Sequence, residues 1–200
     1  MRMMKTFRKV IVVTGTPGVG KTSVSKKLAK KLNAHYIGIT DLVKKEKLFT
    51  SLDEVRKTLV ADTEKVTKRM QEILRASASN VIIEGHYAVD VVSKKDVNNV
   101  FVLRRDPAKL KAVLEKRGFE GKKLWENLAA EILDVCLLEA LSVSGNDKVC
   151  EIDASNKTVE EVVEEIILML EKKKPCQSGI VDWLGKLDNE RRLGEFLRDF

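Results

Sequence analysis

The run Gly15-Thr16-Pro17-Gly18-Val19-Gly20-Lys21-Thr22 constrains this chain more than any other feature. It lies directly behind the apolar stretch Val10-Ile11-Val12-Val13. It fits G-x-x-x-x-G-K-[ST], a phosphate-binding loop, and a helical pattern from Lys21 towards Asn33 follows it. Strand, glycine loop and helix in that order aim backbone N–H groups and the positive end of a helix dipole at one point. Glycines at 15, 18 and 20 let the backbone wrap an anion. In such a loop Pro17, Gly18, Val19, Gly20 and Ser23 flank the phosphates. Lys21 reaches the β- and γ-phosphates, and the Thr22 hydroxyl binds Mg²⁺. ATP with Mg²⁺ is therefore the expected ligand.

The remaining chain reads as further strands alternating with helices. Ala34-His35-Tyr36-Ile37 reads as a short second strand, with His35 as a packed core residue. Thr40 or Asp41 is placed to cap a helix through about Lys47. Leu48 to Ser51 reads as a loop, and Arg56 to Val60 as a brief, ambiguous extended segment. A helical stripe of Val66, Met70, Ile73 and Leu74 ends near Ser77. Val81-Ile82-Ile83, Asn99 to Leu103 and Lys148 to Asp153 complete five strands. Between the last two come a helix from Ala108 to Lys116, a break, and one long helix carrying Leu124, Leu128, Ile132, Val135, Leu138 and Leu141 on one side. Thr158 and Glu161 form a capping box for the next helix. Near-continuous apolar strands alternating with helices imply an α/β fold, a parallel five-stranded sheet covered by helices on both faces. No internal repeat or second domain is visible. Residues 175–200 form a helical tail with apolar stripes at Ile180, Trp183, Leu184 and Leu187, and at Leu193, Phe196, Leu197 and Phe200. That tail either docks on its own domain or offers a helix to a partner.

Composition narrows the function classes. No apolar run approaches the roughly 20 residues of a membrane-crossing helix, and the basic N-terminus leads into a strand rather than a cleavage site. A cytoplasmic protein without membrane contact is expected. Cys136, Cys150 and Cys176 are odd in number and lack a C-x-x-C pair, which reads as reduced interior thiols. The abundance of Lys and Glu leans towards a thermophile. A net charge of +7 suits polyanionic partners, nucleotides first and RNA second. The lysine clusters at 26–27, 30–31, 44–47 and 172–174 read most simply as solvated helix faces.

In an open parallel sheet, ligands sit at the carboxyl ends of the strands. Glu84, closing Val81-Ile82-Ile83, has the form of a strand-end acid that holds Mg²⁺ or its water shell. His86, two residues on, is placed to order a water or a substrate oxygen. Arg117, with Lys122 and Lys123, lies in a glycine-containing break between helices, where a mobile cation can close over a transferring phosphate. An N-K-x-D guanine-reading motif is absent, which disfavours a GTPase.

With these residues in place, the chain resembles the adenylate kinase isoenzyme 6 family in an archaeal form. The match is carried by the P-loop, Tyr36-Ile37-Gly38-Ile39-Thr40-Asp41-Leu42, Glu84-Gly85-His86, Phe101-Val102-Leu103-Arg104, and Lys116-Arg117-Gly118-Phe119 with Lys122-Lys123-Leu124 and Asn127. It spans about Val10 to Glu171 and is weakest between Leu48 and Lys57. The family's members are small nucleotide kinases and ATPases linked to small-ribosomal-subunit maturation. The resemblance implies a nucleoside-monophosphate-kinase-like fold in residues 1–174, with an AMP-binding region at about 38–61 and a mobile lid at about 116–126. It implies ATP phosphates on Gly18 to Ser23 and a lid arginine at Arg117. It assigns Gly38, Thr40 and Asp41 to AMP, and a small-subunit ribosomal protein or rRNA as partner. Lys21, Glu84, His86 and Arg117 are then the expected catalytic set.

Overall fold

The computed structural model describes residues 8–197. Five strands, β1 (Val10–Thr14), β2 (His35–Gly38), β5 (Val81–Glu84), β6 (Asn99–Arg104) and β7 (Val149–Asp153), form one parallel sheet in the order β2-β5-β1-β6-β7. Their side chains alternate between two cores. Ile11, Val13, Ile82, Phe101, Leu103 and Ile152 face one side, and Val10, Val12, Ile83, Val100 and Val102 face the other. Both faces are apolar because both are covered by helices, which explains why the strands read as unbroken apolar runs.

On the first face lie α1 (Lys21–Lys31), α4 (Pro107–Lys116), α5 (Gly121–Ile132) and α7 (Val159–Leu170). On the second lie α2 (Ile39–Glu46), α3 (Thr63–Ala76) and α6 (Val135–Ser144). Helix starts follow local chemistry. Asp62 caps α3 through Lys65 N–H, Asp106 caps α4 through the N–H groups of Ala108 and Lys109, and Thr158 and Glu161 close the expected capping box on α7. Among the described residues no helix is long and apolar enough to cross a membrane.

Several expectations change. The long helix carrying Leu124 to Leu141 is two helices: Asp134 adopts a left-handed conformation (φ 57°), so α5 packs on one face of the sheet and α6 on the other. Val135 and Leu138, predicted inward, are exposed. The presumed loop and ambiguous segment at 48–60 are an antiparallel hairpin, β3 (Phe49–Asp53) with β4 (Thr58–Ala61), separate from the main sheet. Neither Thr40 nor Asp41 caps α2, which begins at Ile39 behind Gly38. His35 is exposed rather than packed in the core. Cys150 and Cys176 form a disulfide, and Cys136 is the free cysteine among the described residues.

The tail docks on its own domain. In α8 (Trp183–Asn189) and α9 (Leu193–Phe196), the side chains of Trp183, Leu187 and Phe196 are buried in the first core. Ile180 and Leu184 of the predicted stripe are exposed, and Phe200 lies outside the described residues.

Candidate active site at the carboxyl edge of the sheet

The turn from β1 into α1 is set by close packing. Gly15 has φ +131°, and a Cβ on it would meet the Leu103 carbonyl oxygen at 2.3 Å, so only glycine lets the loop pass the end of β6. The Lys21 ammonium folds back over the loop, donating to the carbonyls of Gly15 (2.7 Å) and Thr16 (3.0 Å). Burial holds its pKa below the ordinary lysine value, while the charges of Glu84 and Glu131 pull the other way. A buried cation whose hydrogen bonds go to neutral carbonyls is suited to an incoming anion.

Strand register brings the acid beside the loop. Glu84 pairs with Val13 on one side and Gly38 on the other, so its carboxylate emerges between the P-loop strand and the start of α2. Its Oε1 accepts from the Thr22 hydroxyl and from the Tyr36 hydroxyl, each at 3.1 Å. Space there is tight: a Cβ on Gly38 would meet Tyr36 Oη at 2.8 Å and Glu84 Oε1 at 3.2 Å. Burial and the Glu84 carboxylate push the Tyr36 phenol further above its ordinary pKa, so it stays a neutral donor.

These groups open into a cleft of about 530 Å³. One wall is Pro17, Gly18, Gly20, Lys21, Thr22 and Ser23 of the loop; the floor is Glu84, Gly85 and His86. Thr40, Asp41, Arg56 and Thr58 line the side of α2 and the hairpin, and Arg117, Phe119, Lys123, Glu126 and Asn127 line the opposite rim. The structure therefore gathers Lys21, Thr22, Glu84, His86, Arg117, Thr40 and Asp41 around one space. Gly15, Val19 and Gly38 support that space without lining it: Val19 is buried in the core, and Gly15 and Gly38 are points of close packing. Lys122 does not line the cleft; it is largely exposed, 3.8 Å from Glu126.

His86 carries a solvent-exposed face in the cleft, with its ring edge-on to Tyr87 at 4.5 Å. The surrounding protein, and secondarily the Lys21 charge, depress its pKa to about 4, so the imidazole is neutral at pH 7. Arg117 ends α4 as its C-cap, just before Gly118 in the left-handed region. The predicted break is there, but it is short, and α5 restarts at Gly121.

Arg56 is a cleft residue that the sequence reading missed. Its guanidinium makes a two-pronged ion pair with Glu126 of α5 (2.7 and 2.8 Å) and a third bond to Asp53 (2.9 Å). Lys123 donates to its carbonyl at 2.8 Å. The hairpin tip is thereby tied across the cleft mouth. The local signal was Asp53 three residues before Arg56, where the carboxylate accepts Arg56 N–H in a side-chain-closed turn. Nothing local signals Glu126.

The oxygen donors fit a small hard cation. Thr22 Oγ1 and Glu84 Oε1 lie side by side beneath the cleft. Among the described residues no group of three or more His, Cys, Asp or Glu side chains could hold a metal. Such a pair matches Mg²⁺ carried mainly by nucleotide phosphates.

Comparison with known proteins bears on family and fold. Residues 11–134 match the family described as AAA domain. A Methanocaldococcus jannaschii protein named "Putative adenylate kinase" is 44% identical over 176 residues, 88% of this chain and 93% of that protein. A Saccharolobus solfataricus protein of the same name is 39% identical over 186 residues, 93% of each chain. Among solved structures, shikimate kinase from Acinetobacter baumannii in complex with shikimate has a TM-score of 0.63 at 14% identity, covering 84% of this chain and 96% of that one. A gluconokinase from Sinorhizobium meliloti has a TM-score of 0.51 at 17% identity, with 84% and 94% covered. At those identities the likeness is one of fold.

Proposed function

The chain belongs to the AAA-domain family and, within it, to the adenylate kinase-like proteins, and from that premise we propose that it transfers the γ-phosphoryl group of ATP to AMP, giving two ADP. One observation carries the reading. A single cleft is lined by the P-loop, by Thr40, Asp41, Arg56 and Thr58, and by Arg117.

In this reading the loop amides and Lys21 hold the ATP phosphates. Thr22 and Glu84 would hold Mg²⁺, which, when bound, neutralises phosphate charge. Arg117 meets the transferring group from the rim, and Thr40 and Asp41 orient AMP. No covalent intermediate is needed, because positioning and electrostatics carry phosphoryl transfer. The neutral imidazole of His86 is suited to ordering a water, so slow ATP hydrolysis accompanies transfer. We extend the proposal to a role in small-ribosomal-subunit maturation through a ribosomal protein or rRNA. The family resemblance and the net charge of +7 motivate it.

A coupled assay with ATP alone, with ATP plus each nucleoside monophosphate, and with ATP plus small-subunit components tests the set. AMP is expected to give the fastest ADP formation. Turnover with ATP alone that no monophosphate accelerates would replace the kinase reading with a hydrolase.

A further inference from the structure

The tail follows α7, and its contacts end beside the phosphate site. Trp183 Nε1 donates to Glu131 Oε1 at 3.2 Å, and the same buried oxygen accepts Arg105 N–H at 2.9 Å. The Arg105 guanidinium then donates to the Gly18 carbonyl of the P-loop at 3.3 Å. A second line runs through Lys186, which pairs with Asp106. Asp106 caps α4, the helix whose other end carries Arg117. The tail's start is fastened separately: Cys150 of β7 is bonded to Cys176, Glu151 N–H donates to the Gln177 carbonyl at 2.7 Å, and Ile180 N–H donates to Glu151 Oε2 at 2.7 Å.

We propose that the C-terminal tail is a redox-fastened brace of the nucleotide site: the Cys150–Cys176 disulfide secures it, and Trp183 and Lys186 pass its position through Glu131 and Asp106 to the P-loop and to α4. Trp183 and Lys186 are positioning residues, since neither lines the cleft. The brace keeps the loop and the Arg117 end of α4 in their binding arrangement. Apparent nucleotide affinity scales with the fraction of molecules in that arrangement, so loosening the tail weakens binding without altering a ligand contact.

The chemistry of release is a two-electron exchange. Cys150 is buried, whereas Cys176 is exposed, so a dithiol reductant meets the bond from the Cys176 side. Its thiolate attacks a sulfur to give a mixed disulfide, and its second thiol closes on the first. The protein gains two thiols, and the reductant leaves as a cyclic disulfide. A small-molecule disulfide oxidant reverses the exchange. The buried side chains of Trp183, Leu187 and Phe196, the Glu151 bonds to Gln177 and Ile180, and the Lys186–Asp106 pair then hold the tail without the covalent link.

The test uses the full-length chain well below its melting temperature, and it rests on the nucleotide-binding reading only in its first arm. That arm measures the affinity of a non-hydrolysable ATP analogue by calorimetry, oxidised and after reduction verified by alkylation of Cys176. Reduction is expected to weaken binding about 3- to 10-fold, the size of a modest shift in the competent fraction. Reoxidation restores it. Cys176→Ser is expected to bind like the reduced protein and to ignore reductant, while Cys136→Ala keeps the response. Trp183→Phe, which retains a ring and loses the N–H donor, is expected to weaken binding by a similar factor. A merely structural tail would lower the melting temperature and leave the affinity unchanged, and that result overturns the proposal. The second arm needs no nucleotide: hydrogen exchange at residues 15–22 and 107–117 is expected to speed up on reduction. Unchanged exchange there refutes the brace even if nucleotide binding is normal. Faster exchange in a protein that binds no ATP analogue supports the brace and removes the nucleotide reading instead.

Discussion

Replacing Arg104 with methionine isolates a cluster of buried charges. Arg104 is 1% exposed at the end of β6. Its Nε donates to Glu131 Oε1 at 3.0 Å, Nη1 to Glu151 Oε1 at 2.6 Å, and Nη2 to the Glu131 carbonyl at 2.7 Å and to Asp134 Oδ1 at 2.5 Å. Glu131 and Glu151 are 1% and 0% exposed, so Arg104→Met strands two carboxylates out of water's reach. Each keeps a partner, Trp183 and Arg105 for Glu131 and the Ile180 amide for Glu151, which moderates the loss. Asp134 is about one-third exposed and rehydrates. Breaking one side of a buried pair typically costs about 3–5 kcal/mol, and we expect Arg104→Met to fall in that range. For a chain of this size the melting temperature then falls by roughly 6–20 °C. Urea titration with an unchanged slope measures the loss. Adding Glu151→Gln removes one stranded charge and is expected to recover part of it. A single-mutant loss below about 1 kcal/mol, the level of exposed pairs, would refute the claim that this cluster depends on its buried charge.

Other outcomes follow from the same geometry. The Cys150–Cys176 bond closes 26 residues, which in the chain-entropy treatment contributes about 3.5 kcal/mol; Cys176→Ser should lose most of that in urea titration, and equal stabilities would contradict a formed disulfide. His86 should titrate in NMR near pH 4. Its folded pKa lies below the unfolded value of about 6.5, so its stabilising contribution is present above that value and is lost as pH falls through the window from about 6.5 to 4. A midpoint near 6.5 would show an ordinary solvated imidazole. Arg117→Ala should slow phosphoryl transfer by on the order of 100-fold or more while ATP affinity, measured without AMP, changes far less; parallel losses would make Arg117 a ground-state contact.

What the sequence revealed depended on how local the cause was. The five strands were legible because burial on two faces leaves continuous apolar runs, and the P-loop because its glycines, lysine and threonine act within eight residues. The hairpin was not, because Leu52, Val55 and Val60 are exposed and only Phe49 and Ala61 pack, half-buried, against the core, which leaves too weak a pattern to mark two strands. The switch from α5 to α6 was hidden because Asp134 takes a left-handed conformation without glycine or proline to announce it. Val135 and Leu138 continue the helical spacing although they face solvent. The disulfide and the Arg56–Glu126 pair join residues 26 and 70 positions apart, and spacing says nothing about such partners. The residues proposed to act on phosphate were all named from sequence. Arg56 and Tyr36, which reach the site through tertiary contacts, were given no individual role there.

In the proposed reaction, Lys21 and its loop hand the γ-phosphoryl group of ATP to AMP across this cleft. Incubating the protein with γ-radiolabelled ATP and unlabelled AMP, then separating the products, tests it directly. Label is expected in ADP, with its loss in Lys21→Ala and an unchanged melting transition in that variant. Label appearing only in inorganic phosphate, or undiminished transfer by folded Lys21→Ala, would contradict it.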